Sequence, residues 1–280
     1  MMRLKKAAIL GFLKDFLIAA IIILIILMVM YAYTRVWPPI VVIESTSMEH
    51  SNPPYGRIGT IDAGDFTFVK KADNKEAIVT YYQGKKTGYM TYGNYGDVII
   101  FRKNGKAGTP IIHRVIVWVE VYPGNNTIKY GIPELGWFNN DSVELKEVGL
   151  QDYHPPHSGF ITKGDNNPSC DQGAGKEVQP VKFEWVIGVA RGEIPWFGGI
   201  KLLFDDLTTG SANAGNVKQD CWVMLSVSIA IIIAIPMSID YTYPFIKKKI
   251  LGFIECRKKA RALKKELTKL EKIEFEIERK

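Results

Sequence analysis

Residues 111–121 read IIHRVIVWVEV. Seven of these eleven side chains are branched at Cβ. Such residues are stiff in a helix and pack well on a pleated surface, so the stretch predicts a long strand. Shorter runs of the same kind lie on either side, at 40–43, 66–69, 98–101, 160–163 and 183–190. A further arm is expected at 78–82, with Gln83-Gly84-Lys85 as its turn. Gly, Pro, Asn and Asp punctuate the intervals, the pattern of a mainly β domain. Residues 122–158 are rich in Pro and Asn, with few clear strands, and read as an insertion. They hold two Asn-x-Ser/Thr sequons, at Asn125 and Asn140, which could carry glycans on an outer face.

Further out, the composition changes. Residues 16–33 (FLIAAIIILIILMVMYAY) and 221–239 (CWVMLSVSIAIIIAIPMSI) contain no charged side chain. Each is long enough to cross a bilayer at about 1.5 Å of rise per residue. Neither shows the polar face that a buried core helix would present. The first run ends in Tyr-Thr-Arg-Val-Trp rather than at a small-residue cleavage site, so it reads as an uncleaved signal anchor. The expected organisation is a cytoplasmic N-terminus at 1–15, a transmembrane helix at 16–35 and a β-rich domain at 36–204. A polar linker at 205–220, a second transmembrane helix at 221–240 and a basic helical tail at 241–280 complete it.

Charge sets the expected orientation. Residues 1–35 carry a net +4 and residues 247–280 a net +7, which leaves −4 for residues 36–246. By the positive-inside rule both termini are cytoplasmic and the middle lies outside. The high pI is thus a topology signal, and no nucleic-acid partner is expected. The tail places Leu263, Leu267, Leu270 and Ile277 along one stripe, suited to a partner helix or to anionic lipid. IPWFGGIKLLF at 194–204 is too short to span; it suits either the bilayer interface or the core. The cysteines, Cys170, Cys221 and Cys256, are too few and too scattered for a disulfide framework.

Where the strand at 40–43 breaks, the chain reads Glu-Ser-Thr-Ser-Met-Glu-His, residues 44–50. A serine in a turn usually bonds its own backbone; to act as a nucleophile it needs a base, and the base needs an orienting group. Four histidines are available. His50 lies in the following loop, and His154 and His157 sit in a stiff HPPH segment read as solvated. His113 lies within the long strand, where alternation aligns it with Ile111, Val115, Val117 and Val119 on an apolar face. Such a histidine is either a satisfied core residue or a functional group. After 160–163 a turn carries Asp165 and Asp171, either of which could hold a histidine.

Together these segments resemble a known family. Ser-x-Ser-Met-Glu (45–49), Gly-Asp-Val-Ile-Ile-Phe (96–101), Ile-His-Arg-Val-Ile (112–116), Lys-Gly-Asp-Asn-Asn (163–167) and Ile-Gly-Val-Ala-Arg-Gly-x-Ile-Pro (187–195) look like the type I signal peptidases. The order matches over about residues 10–204, and the histidine points to the archaeal and endoplasmic-reticulum branch, since the bacterial branch has a lysine base there. The resemblance implies a membrane-bound serine endopeptidase that cuts signal peptides from preproteins. It assigns Ser47 as nucleophile, His113 as base, Asp171 as orienter and Asp165 as a supporting group. The oxyanion hole would use the Ser47 amide and, by weaker analogy, the Ser45 hydroxyl. No metal or cofactor is implied. Preproteins and membrane lipid are the expected partners, with the secretion translocon or other membrane subunits reached through the tail. A narrower precursor protease and a catalytically silent membrane scaffold stand as alternatives. One departure is Glu49-His50 after the methionine, where many members soon have proline.

Overall fold

A computed structural model of the chain describes residues 2–50, 57–124 and 127–278. Contacts divide it into two units, 1–224 and 225–280. In the first, helix α1 (Met2–Thr34) leads into strands β1 (Ile40–Val42) and β2 (Phe66–Lys70). A short helix α2 (Tyr81–Thr87) and a small hairpin, β3 (Met90–Thr91) with β4 (Asn94–Tyr95), follow. Then come β5 (Val98–Phe101), β6 (Ile111–Pro123), β7 (Ile128–Ile132), β8 (Trp137–Asn140), β9 (Val143–Leu145) and β10 (Leu150–Tyr153). Strands β11 (Gly159–Lys163) and β12 (Val186–Ile194) precede α3 (Gly198–Thr209), and α4 (Gln219–Glu278) ends the chain.

The main sheet is antiparallel, with the order β1-β2-β12-β5-β6-β7-β8 and β11 added on β6. The long strand at its centre explains this order. β6 pairs β5 through 111–114, β11 through 114–119 and β7 through 120–123, so its two ends serve different neighbours. Between Val115 and Val117 β6 gains one residue against β11, a bulge that reverses the alternation beyond it. This corrects the single apolar face expected from the sequence. Ile111 and Val115 join one core cluster, whereas Val117 and Val119 join another with Tyr130, Ile132 and Leu150. His113 therefore does not sit on one continuous apolar face.

Three other local expectations change. No strand forms at 78–82; Thr80 instead caps α2, accepting from the Gln83 amide while Gln83 accepts from the Thr80 amide, a capping box that nucleates a helix where a hairpin turn is expected. The stretch 122–158, read as poor in strands, contains β7 to β10. Its strands are short, and two of their connections, β7 to β8 and β9 to β10, are single helical turns ended by Gly136 and Gly149 in the left-handed region, at φ +70 and +73. Residues 183–185, expected to open a strand, form one 3-10 turn before β12. Asn125 lies outside the described residues, whereas Asn140 is exposed at the end of β8.

Among the described residues two helices are long and apolar enough to cross a membrane: Leu13–Thr34 within α1, and α4 over Gln219–Arg261. Most of their apolar side chains are exposed, although Cys221 and Leu225 at the start of α4 are buried; exposure on this scale is consistent with membrane association. α4 runs without a break through Pro236 and Pro244, so the second apolar run and the basic tail form one helix. The side chains of Leu263, Leu267, Leu270 and Ile277 lie outside the described residues. Residues 205–209 of the expected linker belong to α3, where Leu202 is buried and Ile200, Leu203, Phe204 and Leu207 are exposed. Cys170 and Cys221 are buried and unpaired.

Candidate active site

The loop after β1 owes its shape to Met48. That side chain is buried with Ile43, Ile61 and Val98, a burial that contributes about 1.5–3 kcal/mol. Pinning Met48 inward leaves its neighbour Ser47 half-exposed at the turn. The turn is closed by the Glu49 amide on the Thr46 carbonyl, at 3.2 Å. From the far side, the turn after β11 holds the same loop. The Asn166 amide donates to the Ser47 carbonyl (2.9 Å) and Asn166 Nδ2 to the Thr46 carbonyl (3.0 Å).

His113 reaches this loop from β6. Its Nε2 lies 3.0 Å from Ser47 Oγ and its Nδ1 2.6 Å from Asp171 Oδ2. A carboxylate only accepts, so Nδ1 carries the proton and Nε2 accepts from the Ser47 hydroxyl. The Ser47 hydrogen being so committed, the Ser45 hydroxyl is left to donate to Ser47 Oγ across 3.1 Å. Asp171 is itself held twice by Thr162, through the Asp171 amide on the Thr162 carbonyl (2.8 Å) and through Thr162 Oγ1 on Oδ2 (2.6 Å). Behind them the fully buried Gln172 receives the Thr162 amide (2.8 Å) and donates to Thr162 Oγ1 (3.1 Å). The result is a continuous line of hydrogen bonds from Ser45 to Gln172 through Ser47, His113, Asp171 and Thr162.

Asp165 has different company. Arg114, the residue after His113, grips it with two hydrogen bonds, Nε to Oδ1 at 2.7 Å and a terminal guanidinium nitrogen to Oδ2 at 2.6 Å. His50 Nε2 donates to the same Oδ2 at 3.0 Å. Both members of the ion pair are buried, at 1% and 5% side-chain exposure. Burial by itself would raise the Asp165 carboxyl, but the hydrogen bonds of Arg114 and His50 outweigh it and hold it below the ordinary aspartate range. The other Arg114 terminal nitrogen is taken by the carbonyls of Asn94, Tyr95 and Gly96. Asp165 thus ties the loop after Ser47 to the strand that carries His113. Sequence reasoning passed over Arg114 and set His50 aside, since nothing in the spacing foretells a contact across 115 residues. Replacing His50 with alanine removes a hydrogen bond to a buried charge and should lower stability by about 1–2 kcal/mol in a thermal-shift measurement.

Gly164 sits where the two loops meet. A Cβ there would stand 2.6 Å from the Ser47 carbonyl oxygen and 2.9 Å from His113 Nε2. Gly164→Ala should therefore push Ser47 and His113 apart and lower turnover by about 10²-fold while the chain stays folded. The remaining reactive groups lie elsewhere. His154 Nδ1 contacts the Asp152 carbonyl, His157 packs on Trp185, and the Lys70 amine lies over the Tyr33 ring at 4.8 Å. Among the described residues no group of three or more His, Cys, Asp or Glu side chains could hold a metal ion.

No family model matches the chain. Over 112 residues it is 29% identical to the signal peptidase complex catalytic subunit SEC11C of Homo sapiens, and equally to those of Mus musculus and Canis lupus familiaris. The chain resembles the catalytic subunit of a signal peptidase. The likeness supports the type I signal peptidases of the archaeal and endoplasmic-reticulum branch, the family suggested by the motifs. The matched region is 40% of this chain, and the chain spans about two fifths of the length of these curated relatives (41%). The two apolar helices among the described residues are consistent with membrane association.

Proposed function

We propose that the chain is a membrane-bound signal peptidase I, a serine endopeptidase that removes N-terminal signal peptides from secreted preproteins after small residues. The observation that carries this reading is the line of hydrogen bonds Ser47–His113–Asp171, with donor and acceptor roles already set for proton transfer. Ser47 Oγ attacks the scissile carbonyl carbon as His113 Nε2 takes its proton. Asp171 keeps the imidazole in the reactive tautomer and stabilises the imidazolium that forms. The Ser47 amide, which makes no backbone hydrogen bond among the described residues, and the Ser45 hydroxyl receive the oxyanion. His113 then passes its proton to the departing amine, leaving the signal peptide esterified to Ser47. A water molecule, deprotonated by His113, releases that ester and restores the serine.

The membrane arrangement belongs to the same proposal. α1 and the first part of α4 cross the bilayer, both termini face the cytoplasm, and residues 36–204 stand on the outer side, in keeping with the positive flanks. The exposed Ile200, Leu203, Phe204 and Leu207 of α3 then meet lipid near the scissile bond, which lies at the end of a membrane-inserted apolar segment. Preproteins and lipid are the partners this reading requires; the tail offers a surface to a translocon or other membrane subunit.

A preprotein panel tests the specificity. Substrates with alanine at the first and third positions before the cut should be processed. Versions with a bulky aromatic residue at either position should not. Cleavage indifferent to these positions would remove the signal-peptidase reading, and cleavage of a single precursor type would narrow it to a dedicated processing protease.

A further inference from the structure

The stretch 213–220, part of the polar linker expected from the sequence, is tied along its length to the loop that carries Ser47. Asn213 Nδ2 donates to Glu44 Oε2 at 3.0 Å, and Asn216 Nδ2 to the Glu44 carbonyl at 2.7 Å. Lys218 Nζ lies 3.0 Å from Glu49 Oε2. Asp220 Oδ2 accepts from Arg57 Nε at 2.8 Å. Between these polar contacts Val217 is buried over Gly64, so close that a Cβ at Gly64 would stand 3.0 Å from its Cγ1. Glu44 lies before Ser47 and Glu49 after it, so the stretch grips the loop on both sides.

The contact with Glu49 is the most consequential. Its carboxylate is 3% exposed, and Oε1 is buried with no hydrogen-bond partner among the described residues. A buried carboxylate is costly unless a cation compensates it, and Lys218 is the cation in place. Without Lys218 the Glu49 carboxylate gains by moving toward water, and it is joined by one intervening residue to Ser47. A shift of the order of 1 Å at a nucleophile costs about 10²-fold in rate, so even part of that motion matters.

We propose that residues 213–220 are a positioning strap for the Ser47 loop, with Lys218 acting on Ser47 through Glu49. The inference rests on the reading of Ser47 as nucleophile. It makes the lead-in to α4 part of the catalytic apparatus rather than a passive tether. Lys218 is a positioning residue and touches no substrate.

The test uses the full chain in lipid nanodiscs, as wild type, Lys218→Met, Lys218→Arg and the double variant Glu49→Gln/Lys218→Met. Deuterium exchange is followed in peptides covering 44–50 and, as a fold control, 98–101 and 111–121. Preprotein cleavage is measured alongside. For Lys218→Met the strap predicts faster exchange confined to the Ser47 loop, and kcat lowered about tenfold with KM within twofold. Lys218→Arg keeps the charge and should stay near wild type. The double variant removes both members of the pair, and should restore slow exchange and most of the lost kcat. Unchanged exchange at 44–50 in Lys218→Met would overturn the strap, as would a double variant no better than the single. Exchange is read without any substrate. An inactive wild type with a strap-dependent loop would therefore reject the proposed reaction and leave the strap standing.

Discussion

His113→Ala is expected to lower preprotein cleavage by about 10⁴-fold or more, and adding Ser47→Ala to it should cost little further. The two side chains act as one unit: His113 Nε2 is the acceptor for the Ser47 proton at 3.0 Å, and neither is useful alone. Asp171→Asn belongs to the same unit. It preserves shape, but an amide NH₂ turned toward His113 donates to Nδ1 where the carboxylate accepted at 2.6 Å, which forces the proton onto Nε2, and an amide carbonyl there lacks the charge that stabilises the imidazolium. A comparable fall, about 10³–10⁴-fold, is expected with little loss of stability. Single and double variants in one cleavage assay measure this. Multiplying effects for Ser47→Ala and His113→Ala would show that the two do not share a step.

The second large effect is on stability. Arg114→Met leaves the Asp165 carboxylate buried with only His50 to compensate it, and should cost about 3–5 kcal/mol, read as a large fall in melting temperature. Asp165→Asn strands the Arg114 guanidinium in the same way. Acid makes the same point without mutation. Because the Asp165 pKa is depressed by folding, its contribution is complete above the unfolded value of about 4 and is lost as pH falls below that through the lower folded value. In Asp165→Asn this part of the acid sensitivity should vanish. Asp171 and Asp165 are thus separable: one variant loses rate and keeps its fold, the other loses fold.

The β-rich centre was legible because branched side chains cluster where the backbone is extended, and the two apolar runs because nothing polar interrupts them. The capping box that starts α2 is equally local, with Thr80 and Gln83 three apart, but Gln83-Gly84-Lys85 also reads as a hairpin turn, and the sequence alone favours that. The bulge in β6 was not legible, since one extra residue leaves no mark on composition yet reverses every side chain beyond it. For the site, the sequence supplied candidates, and the family likeness supplied an order among them. The meeting of Ser47 with His113, 66 residues away, and of His113 with Asp171, 58 away, is a property of the sheet. The same holds for His50 on Asp165 and Lys218 on Glu49. Such pairs need two distant segments in register, which no local pattern records.

The most direct measurement of the central claim is to reconstitute the full chain in liposomes, add a labelled secretory preprotein and sequence the new N-terminus of the product. Ser47→Ala is run in parallel, with its folding checked by circular dichroism. The account predicts that wild type cuts after a small residue and that folded Ser47→Ala yields no product. A Ser47→Ala chain that cuts at the same bond and rate would contradict it, and would leave Ser47 as a turn residue beside a histidine.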